Sequence, residues 1–338
     1  MHAILIVRLG ALGDIVHALP LAAALRARFP EARLDWVVDE RHLPLLELVP
    51  VVDRRIVWRS RSRSIAYRIA ELRRGCATVH YDAALDPQGL IKSAVVARAS
   101  GASRVIGFAA GALREPLARY FYTETHAPPD TGHVIRKNLT LAAAVDAQVD
   151  TPSFPLEIPE TRELDIVQQA VGGEPYVVLN PGAAWPNKRW SPSRFGELAR
   201  VVSARHGLTS VVTWGGEDHA RATAVVETSD GQAILAPATD IPALAALVGG
   251  ARLVVSGDTG PMHLASALGT PVVALHGPTD PGRNGPWDPL DITVSRYDSC
   301  RCQQRRRCSE TVPCLEELTV AAVVEAVERR LAVEERQS

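Results

Sequence analysis

The chain has 338 residues, 46% of them hydrophobic and 22% charged, with a formal net charge of −1. That composition predicts about two globular domains with substantial cores and excludes a disordered chain. The near-neutral balance gives no whole-protein reason to expect nucleic acid, and the lack of a long uncharged apolar run argues against a membrane span.

Ala3-Ile4-Leu5-Ile6-Val7 begins a strand almost at once, and Arg8 interrupts it before a signal-peptide core forms, so the cytoplasm is the expected compartment. Gly10-Ala11-Leu12-Gly13-Asp14 follows, then a helix expected over Ile15 to Phe29. This puts Asp14 at or beside a helix N-cap near the carboxyl edge of the sheet, where open α/β sheets bind ligands. On spacing alone Asp14 is either a cap contributing about 0.5–2 kcal/mol or a carboxylate with a chemical task. The glycines do not follow the G-x-G-x-x-G spacing, which argues against a nicotinamide enzyme. Leu34 to Val38, Ala83 to Leu85 and Arg104 to Gly107 read as further short strands of a parallel, doubly wound sheet. Between Asp53 and Arg74 stand Arg54, Arg55, Arg59, Arg61, Arg63, Arg68, Arg73 and Arg74 against only Asp53 and Glu71. Arginine forks suit carboxylates and phosphates, although each is equally an ordinary solvated cation or ion-pair partner.

A Pro-rich polar stretch from Asp150 to Glu174 marks a linker, giving domains over residues 1–155 and 156–338. Tyr176 to Leu179 restarts the alternation, and its loop carries Lys188, one of three lysines with Lys92 and Lys137, as a compact phosphate counter-charge or a solvated cation. Ser210 to Trp214, Leu253 to Val255, Val272 to Leu275 and Ile292 to Val294 supply more strands. Two of these end in small, polar corners. Gly257-Asp258-Thr259-Gly260-Pro261-Met262-His263 leads into a helix, and His276-Gly277-Pro278-Thr279-Asp280-Pro281 follows the adjacent strand. Such corners present free backbone N–H groups to a diphosphate, or they are simply capped turns. Cys300, Cys302, Cys308 and Cys314 then cluster before a terminal helix expected over Val320 to Val333. Four thiolates can close a structural zinc or iron site, yet the spacing is not the paired C-x-x-C type, and reduced thiols are the other reading.

Taken in order, Gly13-Asp14 with His17-Ala18-Leu19-Pro20, Asp35-Trp36-Val37-Val38, Asp86-Pro87-Gln88-Gly89-Leu90-Ile91-Lys92-Ser93, Arg114-Glu115-Pro116-Leu117-Ala118, Lys188-Arg189-Trp190, Asp258-Thr259-Gly260 with His263, and Gly277-Pro278-Thr279-Asp280-Pro281 resemble the lipopolysaccharide core heptosyltransferases of glycosyltransferase family nine. The likeness covers nearly the whole chain and lies nearest the heptosyltransferase I branch. The cysteine segment is more similar to that of heptosyltransferase II and protein heptosyltransferase relatives. The resemblance implies a GT-B architecture, two facing Rossmann-like domains with a central cleft, the first holding the acceptor and the second the nucleotide sugar. It implies inverting, metal-independent transfer of heptose from ADP-L-glycero-D-manno-heptose to the anionic Kdo-containing core on lipid A. Asp14 would be the general base and Lys188 the counter-charge for departing ADP. Thr259, Gly260 and His263 would hold the diphosphate, with Asp258 orienting that loop and Gly277, Pro278 and Thr279 also on the donor side. Gly13, Arg59, Arg61, Arg63, Lys92 and Arg114 would meet the acceptor. A monomer at the cytoplasmic face of the inner membrane is expected, with no nucleic-acid partner. The rivals are a family member with another acceptor, a non-catalytic nucleotide-sugar or oligosaccharide binding protein, and a sugar isomerase of similar fold.

Overall fold

Short runs of Val, Ile and Leu form the central strands, buried on both faces as parallel strands covered by helices must be. A computed structural model describes residues 1–59, 64–129 and 132–335; Arg61 and Arg63 lie outside them. The chain divides into two compact units, Met1–Glu157 and Ile158–Ser338.

In the first unit the strands are β1 (Ala3–Val7), β2 (Arg33–Asp39), β3 (Arg54–Trp58), β4 (Ala83–Leu85), β5 (Arg104–Phe108) and β6 (Glu124–His126). They form one parallel sheet in the order β3-β2-β1-β4-β5-β6, with Ile4 paired to Leu34 on one side and to Ala83 on the other. The connecting helices are α1 (Leu12–Val16), α2 (Leu19–Arg28), α3 (Leu43–Glu47), α4 (Ile65–Cys76), α5 (Ile91–Ala99) and α6 (Val134–Ala143). The single helix expected over Ile15 to Phe29 is thus two. Pro20 sits in the first turn of α2, where its missing N–H costs nothing but where it cannot continue a preceding helix.

The second unit carries β7 (Tyr176–Asn180), β8 (Thr209–Val212), β9 (Ala233–Leu235), β10 (Leu253–Gly257), β11 (Val272–His276) and β12 (Ile292–Ser295). Their order is β12-β11-β10-β7-β8-β9, again all parallel. Its helices are α7 (Arg162–Ala170), α8 (Pro192–His206), α9 (His219–Glu227), α10 (Ile241–Gly249), α11 (Gly260–Ala267), α12 (Pro281–Asn284) and α13 (Val320–Glu335). Val323, Val327 and Leu331 of α13 join the core that holds Leu198 and Val273, so the terminal helix belongs to this unit. Counted within each unit, both sheets read 3-2-1-4-5-6, which reverses direction once, between β1 and β4 and between β7 and β10. Loops on the two sides of such a switch point diverge and leave a crevice at the strands' carboxyl ends. No described helix is long and apolar enough to cross a membrane.

Candidate functional site

In the first unit, Asp14 lies just beyond the carboxyl end of β1, on the switch point. It is the third residue of α1 and not its N-cap, which is Ala11. Its carboxylate accepts from the Ala11 N–H at 3.1 Å and pairs with Arg8 Nη2 at 2.8 Å. Arg8 in turn donates to the Pro87 carbonyl at 2.8 Å, so one guanidinium ties the loop after β1 to the loop after β4. Gln88 Oε1 reinforces the tie by accepting from Leu9 N at 2.8 Å. The Asp14 side chain keeps 47% of its surface open and so remains within reach of a ligand. In the sequence Arg8 marks only the interruption of the first strand and carries no sign of this contact.

The other residues expected on the acceptor side follow carboxyl ends of neighbouring strands. Gly13 adjoins Asp14, Lys92 is in the first turn of α5 after β4, Arg114 is exposed after β5, and Arg59 follows β3. Lys92 lies over the Trp58 ring at 5.6 Å, and burial pulls its ammonium below the usual lysine range. Arg59 pairs with Glu71 at 2.6 Å. Part of the basic run is spent on the fold: Arg54 donates to the Gly75 carbonyl at 2.8 Å, and Arg55 to those of Leu46 and Val49 at 3.0 and 2.7 Å.

In the second unit, the switch point is occupied by a compact ionic group. Lys188, from the loop after β7, places Nζ 2.6 Å from Asp258 Oδ2 after β10 and 3.2 Å from the Asp258 carbonyl. His263 Nε2 bonds the other Asp258 oxygen at 3.0 Å. Burial pushes the Asp258 carboxyl up, but the His263 hydrogen bond and the His263 and Lys188 charges outweigh it and hold the group well below the usual carboxylate range. Side-chain exposure is 13% for Lys188 and 4% for Asp258, so the cation is built in and not a solvated loop lysine. Gly257 makes this possible: a Cβ there would stand 2.8 Å from the Lys188 carbonyl oxygen.

The Thr259 hydroxyl turns inward, accepting from Asn180 Nδ2 at 3.0 Å and lying 3.1 Å from the Ser256 hydroxyl. What Thr259 and Gly260 leave half-buried is the backbone that opens α11, beside Lys188. The second turn is more deeply set. Thr279 is 2% exposed, and a Cβ on Gly277 would meet Leu315 at 3.0 Å and Cys314 Sγ at 3.1 Å. Gly277, Pro278 and Thr279 therefore back the donor corner and rest on the cysteine segment. Burial also keeps the His276 imidazole below its ordinary value.

Next to the corner is a pocket of about 240 Å³ that the motif reading missed. Trp214, Ile241, Leu244 and Pro261 give it apolar walls, and Asn180, Thr213, Thr239 and Asp240 add polar groups. Its residues come from four separate strand ends, so no contiguous pattern announces it. The four clustered thiols stand in two pairs, Cys302 with Cys308 at 3.1 Å and Cys300 with Cys314 at 3.2 Å. Hydrogen bonds from the Ser309 hydroxyl and N–H hold the Cys302 thiol down to about 7, while burial and the Cys300 contact push Cys314 up to about 12.

Two Rossmann-type sheets, each with charged and small residues at its switch point, can be compared with known proteins. The model of glycosyltransferase family 9 (heptosyltransferase) matches residues 69–312. The chain belongs to this family. Lipopolysaccharide heptosyltransferase 1 of Pseudomonas aeruginosa is 31% identical over 323 residues, 90% of this chain and 87% of the relative. Among solved structures, a glycosyltransferase family 9 protein of Veillonella parvula superposes with a TM-score of 0.86 at 24% identity, covering 98% of both chains. Heptosyltransferase WaaC of E. coli, solved with ADP-2-deoxy-2-fluoro heptose, gives a TM-score of 0.73 at 25% identity over 96% of this chain and 99% of its own. This family 9 glycosyltransferase is accordingly an enzyme of GT-B fold class, and the isomerase and pure binding-module readings fall away.

Proposed function

We propose that the enzyme transfers heptose from ADP-L-glycero-D-manno-heptose to a hydroxyl of the Kdo-containing lipopolysaccharide inner core, with inversion. The observation that carries the donor half is the buried Lys188–Asp258 pair at 2.6 Å, which holds an ammonium beside the half-buried opening of α11. A fixed cation next to helix N–H groups is complementary to a diphosphate and to the charge that grows on it as the sugar bond breaks. The apolar pocket walled by Trp214 and Ile241 suits the flat adenine ring. The WaaC complex with an ADP-sugar analogue supports this donor, and the lipopolysaccharide heptosyltransferase 1 relative supports the acceptor class.

In the transfer, the acceptor oxygen attacks the anomeric carbon from the face opposite the phosphate. Asp14 takes the hydroxyl proton as the new C–O bond forms, and ADP leaves with the electron pair of the old one. Arg8 fixes the orientation of the Asp14 carboxylate through the 2.8 Å pair. Lys188 supplies the positive charge for the departing diphosphate. Gly13, Lys92, Arg59 and the exposed Arg114 are the acceptor contacts proposed for its carboxylates and phosphates, together with Arg61 and Arg63. The lipid anchor of such an acceptor places the reaction at the cytoplasmic face of the inner membrane.

Incubation with ADP-heptose and a panel of Kdo-lipid and protein acceptors, followed by mass spectrometry, tests the reading. One heptose is expected on the Kdo-lipid and none on the proteins. Asp14→Asn should lower turnover about 10²–10⁴-fold with ADP-heptose binding nearly unchanged. Near-normal turnover would leave Asp14 a helix-start residue only.

A further inference from the structure

The proposed transfer uses no residue from Asp298 to Cys314, yet this segment holds four of the chain's five cysteines. Arg301, Gln303, Gln304, Arg305, Arg306 and Arg307 are all exposed, so the segment has no apolar interior apart from its sulfurs. Cys300, Cys302 and Cys314 are buried to 6%, 1% and 8% exposure, and Cys308 packs against them. A tetrahedral four-thiolate zinc site, with Zn–S near 2.3 Å, spaces its sulfurs about 3.8 Å apart. Both contacts here, 3.1 and 3.2 Å, are shorter. No three His, Cys, Asp or Glu side chains among the described residues form a metal-holding group. The arrangement is that of two facing thiol pairs, and it does not fit the zinc or iron site expected from the spacing.

We infer that Cys300–Cys314 and Cys302–Cys308 are two dithiols that a peroxide converts to two nested disulfides, bracing the loop against the donor corner. In each pair one thiolate attacks a peroxide oxygen, giving a sulfenic acid and hydroxide. The partner sulfur then attacks that sulfenic sulfur, the S–S bond forms as the S–O bond breaks, and the partner's proton ends in water. Each pair thereby loses two electrons and two protons to one hydrogen peroxide and yields two waters. The loop is already positioned to transmit a constraint. Gln304 N donates to the Pro278 carbonyl at 2.7 Å, and Asn187, adjacent to Lys188, donates through Nδ2 to the Arg305 carbonyl at 2.9 Å. A closed loop opens less readily, and so do the turns it holds.

Four cysteines allow three pairings, so the connectivity is the sharpest test. The reduced full-length protein is treated with stoichiometric hydrogen peroxide, then cleaved without reduction after arginine and glutamate. Cleavage at Arg301, Arg305, Arg307 and Glu310 puts the four cysteines on four peptides. Only 300–314 and 302–308 linkages are expected, with a whole-protein mass loss of about four hydrogens. The melting temperature should rise by at least about 3 °C and return on adding dithiothreitol. Cys76, buried in the first unit with its thiol pushed up to about 11, is the internal control and should stay unmodified. In Cys302→Ser only the 300–314 link should form, which keeps the test open if a double variant fails to fold. Other linkages, thiols that resist peroxide, an unmoved melting temperature, or one equivalent of bound zinc or iron on intact thiols would each overturn the inference.

Discussion

Lys188 is held by the Asp258 carboxylate, the Asp258 carbonyl and the face of the Trp185 ring, and its replacement has two separable effects. Lys188→Ala removes the proposed phosphate counter-charge and should weaken ADP at least about tenfold by calorimetry, alongside slower transfer. It also leaves Asp258 buried with His263 as its remaining ionic partner, which should cost about 3 kcal/mol in stability. The depressed Asp258 value sets the sign of the pH effect. Its contribution is present above the unfolded carboxylate value, about 3.9, and is lost as pH falls toward the folded one. Thermal melts between pH 5 and pH 2 should therefore show a shallower acid limb in Lys188→Ala than in the wild type. Asp258 and Gly260 were legible because they sit in a recognisable corner, and Lys188 because lysine is scarce in this chain. Asn180 and Ser256, which anchor Thr259, were not: a small polar residue at a strand end has too many ordinary uses. Arg8 was legible as a charge and silent as a partner, since its contact with Asp14 depends on how the chain turns between them.

At the scale of elements, buried central strands announced themselves through unbroken apolar runs, whereas β3, β6 and β9 did not. β3 begins with Arg54 and Arg55, whose hydrogen bonds to carbonyls of Gly75, Leu46 and Val49 no hydropathy pattern records. β6 and β9 are part-exposed three-residue strands at the sheet edges, and β6 reads Glu-Thr-His, so neither is marked as the equally short but fully buried β4 is. The terminal helix was legible from its spacing, but its anchor was not. Arg330 of α13 reaches Asp291 at 3.0 Å, just before β12, with exposures of 5% and 1%. Burial pushes the Asp291 carboxyl up to about 6, in spite of the Val272 N–H and the Arg330 guanidinium. A raised folded value means that the fold takes up a proton the unfolded chain does not, so this group adds stability as pH falls from above 6 toward 4. Asp291→Asn should shrink the gain in melting temperature between pH 8 and pH 5 relative to the wild type, measured by calorimetry. An identical profile in the two proteins would remove Asp291 from the titration.

For the whole molecule, alternating strands and helices sufficed to read two α/β sheets, because each strand–helix repeat in a parallel sheet needs its own crossover. The strand order could not be read that way, since near-identical apolar runs do not say which neighbours pair. Every strand of one sheet comes from residues before Ile158 and every strand of the other from residues after Glu157. The proposed donor groups, the pocket and the thiol loop all lie in the second unit. Expressed alone, residues 158–338 should fold and bind ADP within about tenfold of the full chain, as calorimetry on the fragment would check; a fragment that folds yet ignores ADP would contradict the assignment of the nucleotide to this half. The single passage of the chain between two self-contained sheets also bears on inheritance. One uninterrupted stretch of coding sequence specifies everything on each side of that passage, so a recombination at one point can give one half a new companion without reopening either core.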